Sequence, residues 1–323
     1  MSSPIIIAEA CQNHNGDREI LKRLIHEAAD SGADYVKIQA VKSEELTFRE
    51  RFEEGEIDQN GKVLAIKRPY RDELERLSNL DLTEKDEEWY VEECKKAGVR
   101  SMITAFTRSS INRIKKYDID ALKIASYDCA SYPLLEDIIK ISKPIFLSTG
   151  ATYDHEIKKA VNILKNSELT VLHCVTIYPT PLKHCNLNKM DWLKKLVPNV
   201  GWSDHTLVKR DGIIASKIAL ALGANCIERH FTVLDDDKTK DGPVSINPKY
   251  LKEIRNFADK SQNEKFEIIN SDISNWKICL GSNSLGLSEE EKLNRDYYRG
   301  RFASKVNNKF IYNWENISPN VFV

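Results

Sequence analysis

No apolar run in this 323-residue chain reaches the roughly 18 residues that a membrane-crossing helix needs. A basic n-region is also missing. The start, Met1-Ser-Ser-Pro-Ile-Ile-Ile-Ala-Glu9, offers only a brief apolar stretch and does not read as a secretory signal. There is no Cys-x-x-Cys pair: the seven cysteines, an odd number, are scattered at 11, 94, 129, 174, 185, 226 and 279. That spacing argues against a disulfide scaffold and against a thiolate zinc site. Bulk charge is lacking too. Forty-eight basic and 49 acidic side chains leave a formal net charge of −1, so no overall field draws the chain to nucleic acid or an anionic membrane. With 41% hydrophobic and 30% charged residues, 13 Gly, 10 Pro and no low-complexity tract, the composition is that of a globular chain. The expectation is a soluble, cytoplasmic protein with no nucleic-acid or membrane partner.

What is present is an alternation of short apolar runs with helical patterns. Ile5-Ile-Ile-Ala8 is followed by Asp17–Ser31, whose Ile20, Leu21, Leu24, Ile25 and Ala28 share one helical face, and Gly32 ends that helix. Asp34–Gln39 is the next strand. The helix–Gly–strand junction recurs at Gly98 before Arg100–Phe106 and at Gly223 before Asn225–Phe231. Ala121–Ser126, Pro144–Thr149, Leu169–Cys174 and Val200–His205 lie between them. Expected helices are Ser109–Lys116, Leu134–Ile141, His155–Leu164, Leu187–Leu196, Arg210–Leu222 and Pro248–Ala258. Eight such units in about 260 residues match a (β/α)8 TIM barrel, although counting units leaves a doubly wound sheet open. The predicted organisation is a barrel over 1–262 and a C-terminal extension, mostly linker, over 263–323. Arg49–Leu80, charged and carrying Gly55, Asn60-Gly61 and Pro69, reads as a long substrate loop or lid.

Chemistry in such a barrel belongs at the C-terminal ends of the strands, and unusual polar residues fall there. Glu9 ends the first strand, Lys37 and Gln39 share a face of the second, and Thr104 ends the third. Lys123, Ser126 and Asp128 follow on the fourth, Ser148-Thr-Gly150 on the fifth, His173 and Thr176 on the sixth. Ser203-Asp-His205 and Glu228-Arg-His230 close the set. A lysine inside a buried strand costs several kcal/mol unless paired, so Lys37 and Lys123 beside Ser148 suit an anionic ligand, with solvated surface lysines as the plain alternative. His205 and His230 could share a divalent metal or be two independent hydrogen-bonded imidazoles; His173 could be a third ligand or a supporting one. Cys174 reads first as a small buried hydrophobe and second as a nucleophile. Glu9, Asp128 and Glu228 are acid–base candidates or ion-pair partners.

The words in which these residues sit resemble the sialic acid synthase family. Ile7-Ala-Glu-Ala-Cys-Gln-Asn-His-Asn-Gly-Asp17, Gly32-Ala-Asp-Tyr-Val-Lys-Ile-Gln39, Lys123-Ile-Ala-Ser126, Leu147-Ser-Thr-Gly150, His173-Cys-Val-Thr-Ile-Tyr-Pro-Thr-Pro181, Trp202-Ser-Asp-His-Thr206 and Glu228-Arg-His-Phe-Thr232 match it in order and spacing, over roughly residues 5 to 300. The resemblance implies condensation of phosphoenolpyruvate with an N-acetylmannosamine-like aldose to a nine-carbon 2-keto-3-deoxy acid, releasing phosphate. It implies that His205 and His230 hold a divalent metal, Mn²⁺ or Mg²⁺. It places Lys37, Thr104, Lys123, Ser126, Ser148, Thr176, Ser203 and Lys292 on phosphoenolpyruvate. Gln39, Tyr178 and Asp241 fall around the sugar, with Glu9 and Asp128 as the catalytic carboxylates. It also implies a homodimer. Members carry an antifreeze-like domain after the barrel whose arginine reaches the partner's sugar site. The residues after Lys305 resemble only the beginning of that domain, which leaves Arg68, Arg71 or Arg301 as substitutes. A Schiff-base aldolase acting through Lys37 or Lys123 and a non-catalytic binding relative are the competing readings.

Overall fold

The computed structural model describes residues 3–281 and 286–322. Twelve strands occur among the described residues: β1 Ile5–Cys11, β2 Tyr35–Ala40, β3 Glu56–Ile57, β4 Val63–Ala65, β5 Arg100–Ala105, β6 Ala121–Ile124, β7 Ile145–Ser148, β8 Leu169–Cys174, β9 Asn199–Asp204, β10 Cys226–His230, β11 Ser304–Val306 and β12 Lys309–Ile311. Eight of them close into one barrel in the order β1-β10-β9-β8-β7-β6-β5-β2. All its pairs are parallel, and β1 bonds β10 to seal the ring. That closure excludes the doubly wound alternative. Parallel wall strands are covered on both faces, which is why they read as nearly continuous apolar runs.

The covering helices are amphipathic and capped by sequence. In α1, Arg18–Asp30, the Asp17 carboxylate accepts from the N–H groups of Glu19 and Ile20, while Leu21, Leu24, Ile25 and Ala28 are buried. Gly32 follows at φ +89 and packs against Arg255, whose Cγ would lie 2.7 Å from any Cβ at this position. Further on, α2 spans Tyr70–Ser78 and α3 Glu84–Ala97. α3 opens on a Thr83–Asp86 capping box and stops at Gly98, φ +72. The remaining helices are α4 Arg108–Ile114, α5 Tyr132–Ile138, α6 Asp154–Leu164, α7 Lys189–Leu193, α8 Val208–Asp211, α9 Ile214–Ala221, α10 Pro248–Ala258, α11 Gln262–Asp272 and α12 Glu289–Tyr298.

Two sequence expectations need adjustment. The helix expected over Arg210–Leu222 is broken at Gly212, φ +55, into α8 and α9. The long loop expected after β2 holds the β3–β4 hairpin and α2. α2 is highly charged, and its few apolar residues, Tyr70, Leu74 and Leu77, pack with Val41, Leu46 and Phe302. Tertiary packing therefore holds it, which a short periodicity count does not register.

Chain beyond 286 folds back across the C-terminal mouth of the barrel. Thr47 Oγ1 donates to Gly300 O at 2.6 Å, Asn294 Nδ2 to Thr176 O at 2.7 Å, and Asn313 Nδ2 to Phe106 O at 2.8 Å. Among the described residues, no helix is long and apolar enough to cross a membrane.

Candidate active site

Side chains on a strand alternate in direction, so residues two apart face the same side. Inside the barrel the lower layer is apolar: Ile7, Tyr35, Met102, Ala121, Phe146, Leu172 and Cys226 pack together. Gly201 completes this layer on β9, where a Cβ would meet Leu172 Cδ2 and Cys226 Cβ at 2.7 Å. One step of two residues up each strand gives Glu9, Lys37, Thr104, Lys123, Ser148, Cys174, Ser203 and Glu228. All eight line a single cavity of about 360 Å³. A further step gives Cys11, Gln39, His205 and His230 on the same cavity. The chamber is thus set by strand periodicity: an apolar floor, a polar ring, then thiol, amide and imidazoles.

The polar ring is a charge network. Lys37 is ion-paired with Glu9, lies 3.7 Å from Glu228 and donates to Thr104 Oγ1 at 3.3 Å. Lys123 lies 3.7 Å from Glu228, and Ser203 Oγ donates to Glu228 Oε1 at 2.8 Å. Burial would push the Glu228 carboxyl up, but the Lys123 and Lys37 ammoniums outweigh it and hold the pKa at about 2. Burial, assisted by Lys123 and opposed by Glu228, brings Lys37 down to about 7. Two buried polar atoms facing the cavity have no hydrogen-bond partner, Ser148 Oγ and His230 Nδ1. Buried polar atoms normally find partners, so these two suit polar atoms of a ligand. The cavity lining as a whole carries six basic side chains against four acidic ones, in a chain whose net charge is −1. Positive charge is therefore concentrated here.

His205 and His230 face each other with ring centroids 5.3 Å apart, and the Tyr178 ring lies 4.2 Å from His205. Burial first and the neighbouring His230 second bring His205 down to about 3, and burial lowers His230 as well. Both imidazoles are neutral near pH 7, the form that binds metals. A ring nitrogen of His230, Cys11 Sγ and a carboxylate oxygen of Asp241 lie within 4.8 Å of one another. With an orphaned imidazole nitrogen in that group, the residues present fit a divalent cation.

Most of the residues singled out from sequence meet in this chamber: Glu9, Lys37, Gln39, Thr104, Lys123, Ser126, Ser148, Tyr178, Ser203, His205, His230 and Asp241. Three do not. Asp128 faces away, accepting from Ser131 Oγ and Asn313 Nδ2, both at 2.9 Å, and burial raises its pKa to about 6. It ends a short 3-10 turn after β6, so strand alternation no longer sets its direction. Thr176 is fully buried behind Gly150, where an added Cβ would come within 2.5 Å of its Cγ2. Lys292 is half exposed and pairs with Glu289. The face of α12 turned to the chamber carries Glu290, Asn294 and Tyr298, four apart, and Lys292 lies on the other side. Arg68 and Arg301 line the chamber, whereas Arg71 is exposed outside it. His173 is not a lining residue; its Nε2 is 2.9 Å from Cys185 O. Sequence reasoning passed over Cys11, Arg76 and Lys240. Cys11 shares the Glu9 face of β1, a signal that alternation already carried. Arg76 comes from α2, inside the Arg49–Leu80 segment expected to be a substrate loop. Lys240 comes from the loop after β10, in the Lys238–Pro243 segment that departs from the family wording. Neither segment singles out the individual residue.

A profile of the NeuB family matches residues 24–265. The chain belongs to the NeuB family. Among curated members it is 36% identical to N,N'-diacetyllegionaminic acid synthase of Campylobacter jejuni, over 78% of this chain and 74% of that one. It is 30% identical to N-acetylneuraminate-9-phosphate synthase of Drosophila melanogaster, over 79% and 67%. The crystal structure of N-acetylneuraminic acid synthetase from Leptospira borgpetersenii superposes with a TM-score of 0.69 at 29% identity, covering 92% of this chain and 91% of that one. The Leptospira synthetase shares the fold of this chain over most of both molecules.

Proposed function

We propose that the protein is a synthase that condenses phosphoenolpyruvate with an N-acetylmannosamine-like aldose, forming a nine-carbon 2-keto-3-deoxy acid and phosphate. The observation that carries this reading is the ring of Lys37, Thr104, Lys123, Ser148 and Ser203 one layer above an apolar floor, with an unpartnered Ser148 hydroxyl facing the space. Ammonium and hydroxyl donors around a cavity walled by buried side chains suit a small phosphate-bearing carboxylate. Gly150 N–H donates to Ser126 Oγ at 3.1 Å, which leaves that hydroxyl's proton free for the ligand.

The aldose fits above, between Gln39, Tyr178 and the rim residues Arg68, Arg76 and Arg301. An adjoining cavity of about 380 Å³ shares Gln12, Arg76, Lys240 and Asp241 and gives room for a substituent chain. His205 and His230 would hold a divalent cation, Mn²⁺ or Mg²⁺ by resemblance to the family, which would supply Lewis-acid polarisation of the aldehyde.

The chain's own residues then handle protons and phosphate. As C3 of phosphoenolpyruvate bonds to the aldehyde carbon, positive character grows at C2. Glu228, held ionised by the lysines, and Glu9, paired with Lys37, face that charge. Water adds at C2, and Glu9 accepts its proton, being the carboxylate in the chamber whose position matches the role. Lys37, with a pKa of about 7, is paired with Glu9 and can pass a proton on at neutral pH. Collapse of the adduct breaks the C2–O bond, and Lys123, Ser148 and Ser203 stabilise the departing phosphate. Asp128, the other carboxylate expected from sequence, has no place in this scheme because it faces Asn313.

Phosphoenolpyruvate labelled with ¹⁸O at the C2–O–P bridge tests the scheme. The label should appear in phosphate, and Glu9→Gln should slow turnover without preventing phosphoenolpyruvate binding. Label retained in the keto acid would mean P–O cleavage and would overturn the scheme.

A further inference from the structure

Cys11 is the one residue of the chamber's upper layer whose presence costs backbone strain. Its φ is +48, a region that glycine enters freely and a β-carbon-bearing residue enters only at a cost. The pairing of β1 with β2 slips between Glu9 and Cys11, and the Cys11 N–H donates to Glu9 Oε1 at 2.6 Å. The thiol faces the chamber beside this bulge, and Sγ donates to Asp241 Oδ2 at 3.0 Å. The third member of the group, His230, is over nine-tenths buried and its Nδ1 has no hydrogen-bond partner. Sulfur, carboxylate oxygen and imidazole nitrogen, each on a different segment of chain, converge within 4.8 Å.

We propose that Cys11 and Asp241 join His230 as ligands of the divalent cation, so that the metal centre of this chain contains a thiolate and selects Zn²⁺, Co²⁺ or Fe²⁺ over Mg²⁺. The inference rests on the reading of the chamber as a metal-assisted synthase site, and it moves Asp241 from the sugar to the cation. On binding, the thiol proton leaves to water, and the Sγ–H···Oδ2 hydrogen bond gives way to one bond from each atom to the cation. A thiolate is a soft ligand that Mg²⁺ does not favour and borderline cations do. Absence of a Cys-x-x-Cys pair does not bear on this arrangement, since the other ligands come from β10 and the loop that follows it.

The test is cobalt spectroscopy on the metal-stripped full chain. Wild-type protein titrated with Co²⁺ should show a near-ultraviolet thiolate-to-cobalt charge-transfer band saturating at one equivalent. Cys11→Ser should lose that band and bind Co²⁺ at least about tenfold more weakly, as loss of a ligand costs no less than loss of a supporting partner. Cys174→Ser should keep the band, although Cys174 Sγ lies 3.7 Å from His205 Nδ1. X-ray absorption of Zn²⁺-loaded wild type needs no variant and should show one sulfur neighbour at about 2.3 Å. No cobalt binding, a bound cobalt without the band, or a band that survives in Cys11→Ser would overturn the proposal. Aldose-dependent phosphate release with Mg²⁺ but no band would leave the synthase reading standing and sink the thiolate. A band without phosphate release would do the reverse.

Discussion

Two layers of the same barrel, one strand period apart, are built on opposite terms. Met102 and Phe146 in the floor are buried apolar side chains of the kind that contribute about 1.5–3 kcal/mol each. Two residues further on, Thr104 and Ser148 face a chamber in which Lys37, Lys123, Glu9 and Glu228 are almost equally buried. Buried ion pairs of this type are roughly neutral for stability, because desolvation offsets their attraction. The floor therefore holds the barrel together, and the layer above it is kept for chemistry. Its charges persist because each is matched by a neighbour.

The largest effect should come from removing the carboxylate that both lysines share. Glu228→Ala leaves Lys37 and Lys123 without it, and urea unfolding should show a loss of about 3–5 kcal/mol together with loss of turnover. Acid titration should agree. Glu228 has a native pKa of about 2 against an ordinary 4.5, so its stabilisation is present above pH 4.5 and is lost as pH falls from there toward 2. A floor change of similar cost should behave differently. Met102→Ala is expected to destabilise by about 2–5 kcal/mol while turnover per folded molecule stays unchanged. Equal losses of turnover in the two variants would erase the distinction between the layers.

A smaller effect concerns Lys37. With a pKa of about 7 it is partly neutral at physiological pH, and a bound anion favours its charged form. Phosphoenolpyruvate binding should therefore take up a proton above about pH 7 and weaken as pH rises. Calorimetry in two buffers of different ionisation enthalpy measures that proton. The smallest effect is expected at Lys292. Its pair with Glu289 is exposed and outside the chamber, so Lys292→Ala should change stability by no more than about 0.5 kcal/mol and leave phosphoenolpyruvate affinity as it was.

The contrast between layers was largely legible in the sequence, because alternation along buried strands is rigid. Lys37 and Gln39, or Glu228 and His230, have to share a face wherever the strand lies. What was not legible lies where strand alternation stops. Asp128 sits in a turn, so its direction is set by local hydrogen bonds to Ser131 and Asn313. Lys292 sits on α12, where the face toward the barrel depends on how residues past 286 dock. Arg76 reaches the chamber through packing of α2 against Phe302, a contact between segments more than 200 residues apart. Cys11 is the instructive case: it lies on the legible face of β1 and within the Ile7–Asp17 motif, yet neither gives its thiol a role.

The most direct test of the central claim is phosphate release from phosphoenolpyruvate by the purified protein with Mn²⁺. The assay runs across N-acetylmannosamine, mannose and di-N-acetylated 6-deoxyhexoses, with and without EDTA and beside His205→Ala. The account predicts release that depends on an aldose, disappears on chelation and is lost in His205→Ala. Phosphoenolpyruvate binding without aldose-dependent release for any of these sugars, or release indifferent to the aldose, would contradict it.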